Sequence, residues 1–284
     1  MKDSRFFRRV VVTAILAWMV LFAFGPNLLV LLASFGHTSG GAFVEPGFSA
    51  HNYLRLLEPA YGRIMLSSLW LAGGVTIICL VCGYPFAAIL ARTRPPWRNL
   101  LLLLVVIPFW TNSLVRTYAM IAILNANGIV NRLLLATSLI GAPLPMMYSA
   151  GAVLAGLIYA LLPFMVLPLY AALERLDPRY VEAARDLGAT PAKTFVRVIV
   201  PLTMPGIVSG CMLVFLPALG MFYVADVLGG AKGMLLGNFI RDQFLTSRDW
   251  PFGSAASVAM TVVMGLMLVL YWKSNTRLSR REWT

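Results

Sequence analysis

Six long apolar runs constrain this chain more than any other feature of it. A bilayer core ~30 Å thick needs about 20 mostly apolar residues per helix. The runs at about 10–33, 64–91, 100–124, 149–173, 198–224 and 252–272 each supply that length. Lipid offers no partner to backbone polar groups, so they must close within each helix. The expected fold class is therefore all-α: a polytopic membrane protein of six transmembrane helices, with residues 1–284 forming a single transmembrane domain. A composition of 60% hydrophobic and 12% charged residues, with a mean hydropathy of +0.81, lies far from soluble-domain averages and agrees with this reading.

Pro85, Pro108, Pro163, Pro168, Pro205 and Pro217 fall within these runs or near their ends, where neighbouring helices tolerate a kink. Residues 125–147 carry Gly128, Gly141, Pro143 and Pro145 and read as a short helix and loop on one surface. The start, MKDSRFFRR, has the basic flank of a signal peptide, but the apolar run behind it is too long for one, so a retained first span is expected.

Short cytoplasmic loops carry an excess of Lys and Arg. Sixteen of the 23 basic residues fall on one face: Lys2, Arg5, Arg8 and Arg9; Arg92, Arg94 and Arg98; Arg175, Arg179, Arg185, Lys193 and Arg197; and Lys273, Arg277, Arg280 and Arg281. With the 11 acidic residues divided, the two faces carry +10 and +2. Both termini are expected in the cytoplasm of a multi-pass inner-membrane protein. The formal charge of +12 is a topology signal, and nucleic-acid binding is not expected.

The chain contains no G-x-x-x-x-G-K-[ST] and no H-E-x-x-H, so it has no P-loop of its own and no metalloprotease site. Its two histidines, His37 and His51, cannot assemble a metal cluster, and no metal is expected. Cys79 and Cys82 form a C-x-x-C inside the second run, where a packing role outweighs a redox or zinc one. The runs are nearly bare of paired acids or nucleophile–base sets, which argues against a membrane-embedded enzyme.

One polar stretch stands out between the fourth and fifth runs, EAARDLGATPAKTFVRVIVPLTMPG at 182–206. Asp177 before Pro178 reads as an N-cap and first helical residue, and Gly188 as the C′ position that ends the helix. Thr190 before Pro191 starts a second helix at once. The segment at about 177–201 is thus a short surface helix, a glycine elbow and a helix leading into the fifth run. Val181, Ala184 and Leu187 read as its apolar face, with Glu182, Arg185 and Asp186 polar. By its residues alone it is either a solvated loop or a contact for another surface.

The stretch resembles the EAA signature of ABC-importer permeases, in Glu182, Ala183, Ala184, Gly188 and Pro201. The likeness extends over nearly the whole chain through VIPFWTNSLVRTYAM, YALLPFMVLPLYAALERLDP, LPALGMFYVADVLGGAKGMLLGN and RDWPFGSAASV. These are similar to permeases of the spermidine/putrescine type, the first of the two membrane subunits. The resemblance implies the type I importer permease fold, with Glu182, Ala183, Ala184, Asp186 and Gly188 coupling to an ATPase. It further implies a second permease subunit, a homodimeric ABC ATPase holding ATP and Mg, a periplasmic polyamine-binding protein and no cofactor in this chain. A related importer for another small solute is the alternative, with a non-ABC channel or an enzyme behind it.

A protonated polyamine favours carboxylates and aromatic faces, the latter at ~0.5 to 2 kcal/mol per contact. Trp110, Asn112 and Tyr118 in the third run and Phe222, Tyr223 and Asp226 in the fifth are the candidate substrate path. An aromatic belt at headgroup depth explains the same residues without a ligand. Arg116 repels a cation and either pairs with an acid such as Asp226 or faces a loop. Residues 228–238 and RDWP at 248–251 read as scaffold or receptor-docking surface, the latter turning the chain into the sixth run.

Overall fold

The computed structural model describes residues 2–39, 42–45, 47–230 and 234–281. Among these, six helices are long and apolar enough to cross a membrane: Phe7–Ser34, Pro59–Arg92, Ser113–Ala136, Ala150–Glu174, Pro191–Gly220 and Trp250–Lys273. In order, the helices are α1 (Lys2–Met19), α2 (Gly25–Ser34), α3 (His51–Leu56), α4 (Pro59–Arg92), α5 (Trp97–Val106), α6 (Ser113–Leu124) and α7 (Ile129–Ala136). They continue as α8 (Ala150–Glu174), α9 (Pro178–Asp186), α10 (Pro191–Thr194), α11 (Val200–Gly220), α12 (Phe222–Gly229), α13 (Leu236–Leu245) and α14 (Trp250–Arg281). An antiparallel pair, β1 (His37–Ser39) and β2 (Ala42–Glu45), follows α2.

Two runs differ from the sequence expectation. Residues 100–124 are not one helix: α5 tightens into a 3₁₀ turn at Ile107–Trp110 and stops, because Thr111 is extended (φ −93°, ψ 143°). Asn112 then caps α6, its side chain accepting from the Leu114 N–H at 2.8 Å. The third candidate span accordingly runs from Ser113 through α7 to Ala136, and α7 is the short helix expected within residues 125–147. The fifth ends at Gly220 rather than 224, where Met221 (φ −78°, ψ 62°) separates α11 from α12.

The chain divides into two compact units, Met1–Arg63 with Phe239–Val263 and Ile64–Asn238 with Met264–Thr284. The core of the larger unit is α8, whose Leu157, Leu161, Met165, Val166 and Leu169 are fully enclosed. It packs along α11, whose Gly206 and Gly210 repeat every four residues. A Cβ on Gly206 would stand 2.4 Å from the Ala172 Cβ, and one on Gly210 2.7 Å from the Met165 sulfur. Association in lipid gains little from hydrophobicity, so close backbone approach over small residues is what holds such a pair. The helices α8 and α11 continue through Pro163, Pro168, Pro205 and Pro217. Interhelical hydroxyl bonds add Tyr84 to Thr203 at 2.9 Å and Ser209 to Tyr271 at 3.0 Å, each worth roughly 0.6 kcal/mol on average in a membrane. Cys79 is buried within this unit and Cys82 exposed, and both are free thiols.

In the smaller unit the loop residues are tied by polar bonds. Asn52, buried, donates to the carbonyls of Ser34 and Gly36 at 3.0 Å each, and Tyr53 OH meets Ser34 Oγ at 2.7 Å. Asp249 stands at the start of α14 as the RDWP turn predicts. It accepts from Arg55 at 2.8 Å and Thr38 Oγ1 at 3.0 Å. Burial works against the Arg55 charge, but bonds to Asp249 and Tyr61 outweigh it and raise the guanidinium pKa above its usual value.

Candidate functional site

The helix α9 forms where its local chemistry places it. Asp177 caps the N-terminus by accepting from the Arg179 N–H at 2.9 Å, and Pro178 takes the first helical position, where its missing N–H costs nothing. At the other end Gly188 has φ +78°, its N–H reaching Arg185 O at 2.8 Å while the Ala189 N–H reaches Ala184 O at 3.0 Å. These two bonds are the Schellman closure. The next helix starts two residues later on Thr190, whose hydroxyl accepts from the Lys193 N–H at 3.4 Å. Four local signals thus fix the elbow.

Its faces differ from the expected division in one respect. Val181 and Ala184 are half-buried, but Leu187 is 88% exposed. At ~100° per residue the three fan across roughly 120° of helix surface, and Leu187 already lies past the last helical residue. Exposed on α9 are Pro178, Arg179, Tyr180, Glu182, Ala183, Arg185 and Asp186, so the outward surface mixes charge with Tyr180, Ala183 and Leu187. A groove of about 940 Å³ lies on one side, lined by Ala172, Arg175, Asp177, Tyr180, Leu202 and Ser209 among others. A second of about 430 Å³ is lined by Tyr84, Glu174, Val181, Glu182, Arg185 and Phe195 among others. Besides its capped ends, α9 packs against α10 and against residues 195–199 leading into α11. Just before it, Glu174 at the end of α8 pairs with Arg98 of α5 at 2.7 Å.

The other candidate cluster gathers around α12, which packs against α6 and α8. Gly156 of α8 lets α12 approach: a Cβ there would meet Leu228 Cδ1 at 2.4 Å and Val224 Cγ1 at 3.1 Å. Phe222, Tyr223 and Asp226 do share this one helix, with the Phe222 and Tyr223 rings edge-on at 6.3 Å. Asp226 accepts from the amide of Asn238, a buried residue on α13. Sequence reasoning passed over Asn238; an amide in a loop-proximal LGN has no local signature of such a role.

Trp110 and Tyr118 are 75% and 60% exposed, and Asn112 is exposed while serving as a cap, so these three lie on an outer face of the unit. Arg116 is half-buried, with its Nε and Nη1 enclosed and without hydrogen-bond partners, 6.0 Å from the centre of the Phe109 ring. Residues 231–233 of the 228–238 loop lie outside the described residues.

Comparison with known proteins places these features in context. Residues 83–283 match the family described as binding-protein-dependent transport system inner membrane component. The spermidine/putrescine transport system permease protein PotB of Salmonella typhimurium (strain SL1344) is 50% identical over 281 residues, covering 99% of this chain and 98% of that one. The protein of the same description from Haemophilus influenzae is 50% identical over 275 residues, covering 97% and 96%. Among solved structures, the crystal structure of a bacterial ABC transporter involved in the import of the acidic polysaccharide alginate superposes with a TM-score of 0.77. It is 17% identical, with 97% of this chain and 96% of that chain covered, so the likeness is one of fold.

Proposed function

Because the chain belongs to the family of binding-protein-dependent transport system inner membrane components, we propose that it carries polyamines, spermidine and putrescine, from periplasm to cytoplasm by alternating access. The observation that carries this is 50% identity over almost the full length with spermidine/putrescine permeases. The chain is a transport subunit and not an enzyme. It is a multi-pass inner-membrane protein with six apolar helices.

The assembly we infer has this subunit beside a second permease, with a homodimeric ABC ATPase on the cytoplasmic side and a periplasmic polyamine-binding protein outside. ATP and Mg belong to the ATPase. The work of hydrolysis enters through α9: Glu182, Ala183, Asp186 and Leu187 face outward to meet the ATPase, Ala184 faces the bundle, and Gly188 lets the helix end sharply enough to swing against α10 and α11. The outer-face position of Trp110, Asn112 and Tyr118 suits a path completed by the second permease. Phe222, Tyr223 and Asp226 then supply two rings and an acid from α12. The most apolar stretch of the first span has no buried residue, which leaves it surface for lipid and the partner subunit.

Two measurements test this reading. Purified from the membrane, the chain should bring an ABC ATPase with it, whose hydrolysis rises when polyamine-loaded binding protein is added; purification alone, or a rate indifferent to the binding protein, contradicts the assembly. Orientation follows from the +10 and +2 division of charge. An impermeant thiol reagent on intact spheroplasts should label a cysteine placed at position 230 and spare one at position 95; labelling at 95 overturns the orientation.

A further inference from the structure

Between the α9 elbow and α11 the backbone changes its winding. Phe195–Ile199 is a π-helical turn, closed by the Val200 N–H on the Phe195 carbonyl, five residues back. Such turns are rare, wider than the α-helix, and frequent at functional sites. The neighbouring residues do not favour it. Pro201 has no N–H to give to the carbonyls of the turn, and Thr194, immediately before it and buried, has a hydroxyl enclosed without a partner. A buried hydroxyl left unmet is costly, so a contact from outside the turn is needed to hold this winding.

Tyr84 of α4, itself buried, supplies that contact and touches the turn at both ends. Its ring meets the Phe195 ring edge-on, at the first residue of the turn, with centroids 5.4 Å apart. Its hydroxyl lies 2.9 Å from Oγ1 of Thr203, a fully enclosed residue of α11. The Thr203 hydroxyl donates to the carbonyl of Ile199, the last residue of the turn, at 2.8 Å. A hydroxyl has one hydrogen to give, so Tyr84 is the donor to Thr203, and the chain of bonds runs from Tyr84 through Thr203 to Ile199. Tyr84, Val181, Glu182, Phe195 and Ile199 also line the cleft of about 430 Å³ beside α9, and α9 itself packs on the turn.

Resting on the importer reading above, we propose that Tyr84 is a positioning residue for ATPase coupling: by fixing both ends of the Phe195–Ile199 turn, it keeps the turn from absorbing the displacement of α9, which then reaches α11. The cleft beside Tyr84 gives α9 room to move. The turn is the one piece of backbone between α10 and α11, so its stiffness decides how much of that movement arrives at the pair formed by α8 and α11. Without the Tyr84 hydroxyl the Thr203 bond to Ile199 loses its anchor on α4, the turn rewinds under load, and hydrolysis proceeds with less transport.

The test uses the complete reconstituted importer with saturating loaded binding protein, and reads labelled putrescine uptake and ATP hydrolysis on the same proteoliposomes. Tyr84→Phe keeps the ring against Phe195 and removes the hydroxyl; Thr203→Val keeps the shape and removes the acceptor; Thr203→Ser keeps the hydroxyl. Putrescine moved per ATP hydrolysed should fall about fivefold or more in Tyr84→Phe and Thr203→Val, the scale of one hydrogen bond, with hydrolysis within about twofold of the parent and complex recovery unchanged. Thr203→Ser should match the parent in both readings. Tyr84→Phe combined with Thr203→Val should be no worse than the worse single variant, because both remove the same bond. An unchanged ratio in Tyr84→Phe overturns the proposal. So does a parallel loss of uptake and hydrolysis, or a loss of complex recovery, since each makes Tyr84 a packing element, and so does a Thr203→Ser variant as uncoupled as Thr203→Val. If the parent complex moves no putrescine, or hydrolyses ATP at a rate indifferent to the binding protein, the importer reading fails and the proposal with it; a working parent with indifferent variants removes Tyr84 alone.

Discussion

Gly188→Val should reduce ATP-driven uptake about tenfold or more while membrane insertion and complex recovery stay at parental values. Space is not the obstacle, because a Cβ at 188 would find nothing within 4 Å. The obstacle is the backbone: φ is +78°, a conformation costing an L-residue ~1–2 kcal/mol and more for a β-branched one. A valine there forces the chain out of the Schellman closure that ends α9, and so re-aims the surface bearing Glu182, Ala183 and Asp186. This account makes a sharper statement through a second variant. Asn tolerates positive φ, so Gly188→Asn should keep most of the uptake, whereas a side-chain clash would penalise both. Glu182→Lys, on the exposed face of the same helix, should also abolish transport, this time by reversing a charge at the contact with the ATPase. Normal uptake in both Gly188→Val and Glu182→Lys would remove α9 from coupling.

The second large effect is expected at Asp226. Hydrogen bonds involving a charged group are worth ~1.5–3 kcal/mol, which corresponds to about tenfold or more in rate or affinity. Asp226→Asn keeps size and shape but discards the charge that draws an ammonium. Uptake at saturating binding protein should therefore fall about tenfold or more with complex recovery unchanged, and Trp110→Ala, on the outer face of the 3₁₀ turn before α6, should give a smaller defect. If Asp226 is only a structural acceptor for Asn238, the Asn variant will either transport like the parent or fail to assemble, and each of those results removes it from the path.

How much of this was legible in the sequence depends on whether the cause was local. The α9 elbow was readable because Asp177–Pro178, Gly188 and Thr190–Pro191 act on backbone groups within a few residues of themselves, and all three appear as expected. The second, fourth and sixth spans followed from apolar length alone. The third did not: Asn112, which its residue type makes a candidate for the substrate path, is a helix cap, and Thr111 is the extended residue before it. The break at Met221 follows Gly220 and has no side-chain cap, and apolar content cannot mark it. Counting along a helix puts Leu187 on the apolar face, but its position beyond the last helical residue exposes it. Asn238 was invisible for a different reason: its partners, Phe222 and Asp226, are 16 and 12 residues away and meet it only once α12 and α13 have formed.

The central claim is that this chain passes polyamines under the power of a partner ATPase, and uptake measures it directly. Proteoliposomes holding the purified complex, with ATP on the ATPase side and loaded binding protein on the other, should accumulate labelled spermidine or putrescine. Excess unlabelled polyamine should compete, and amino acids and inorganic anions should not. Accumulation that proceeds without ATP, or that amino acids or anions suppress while polyamines do not, would contradict the account.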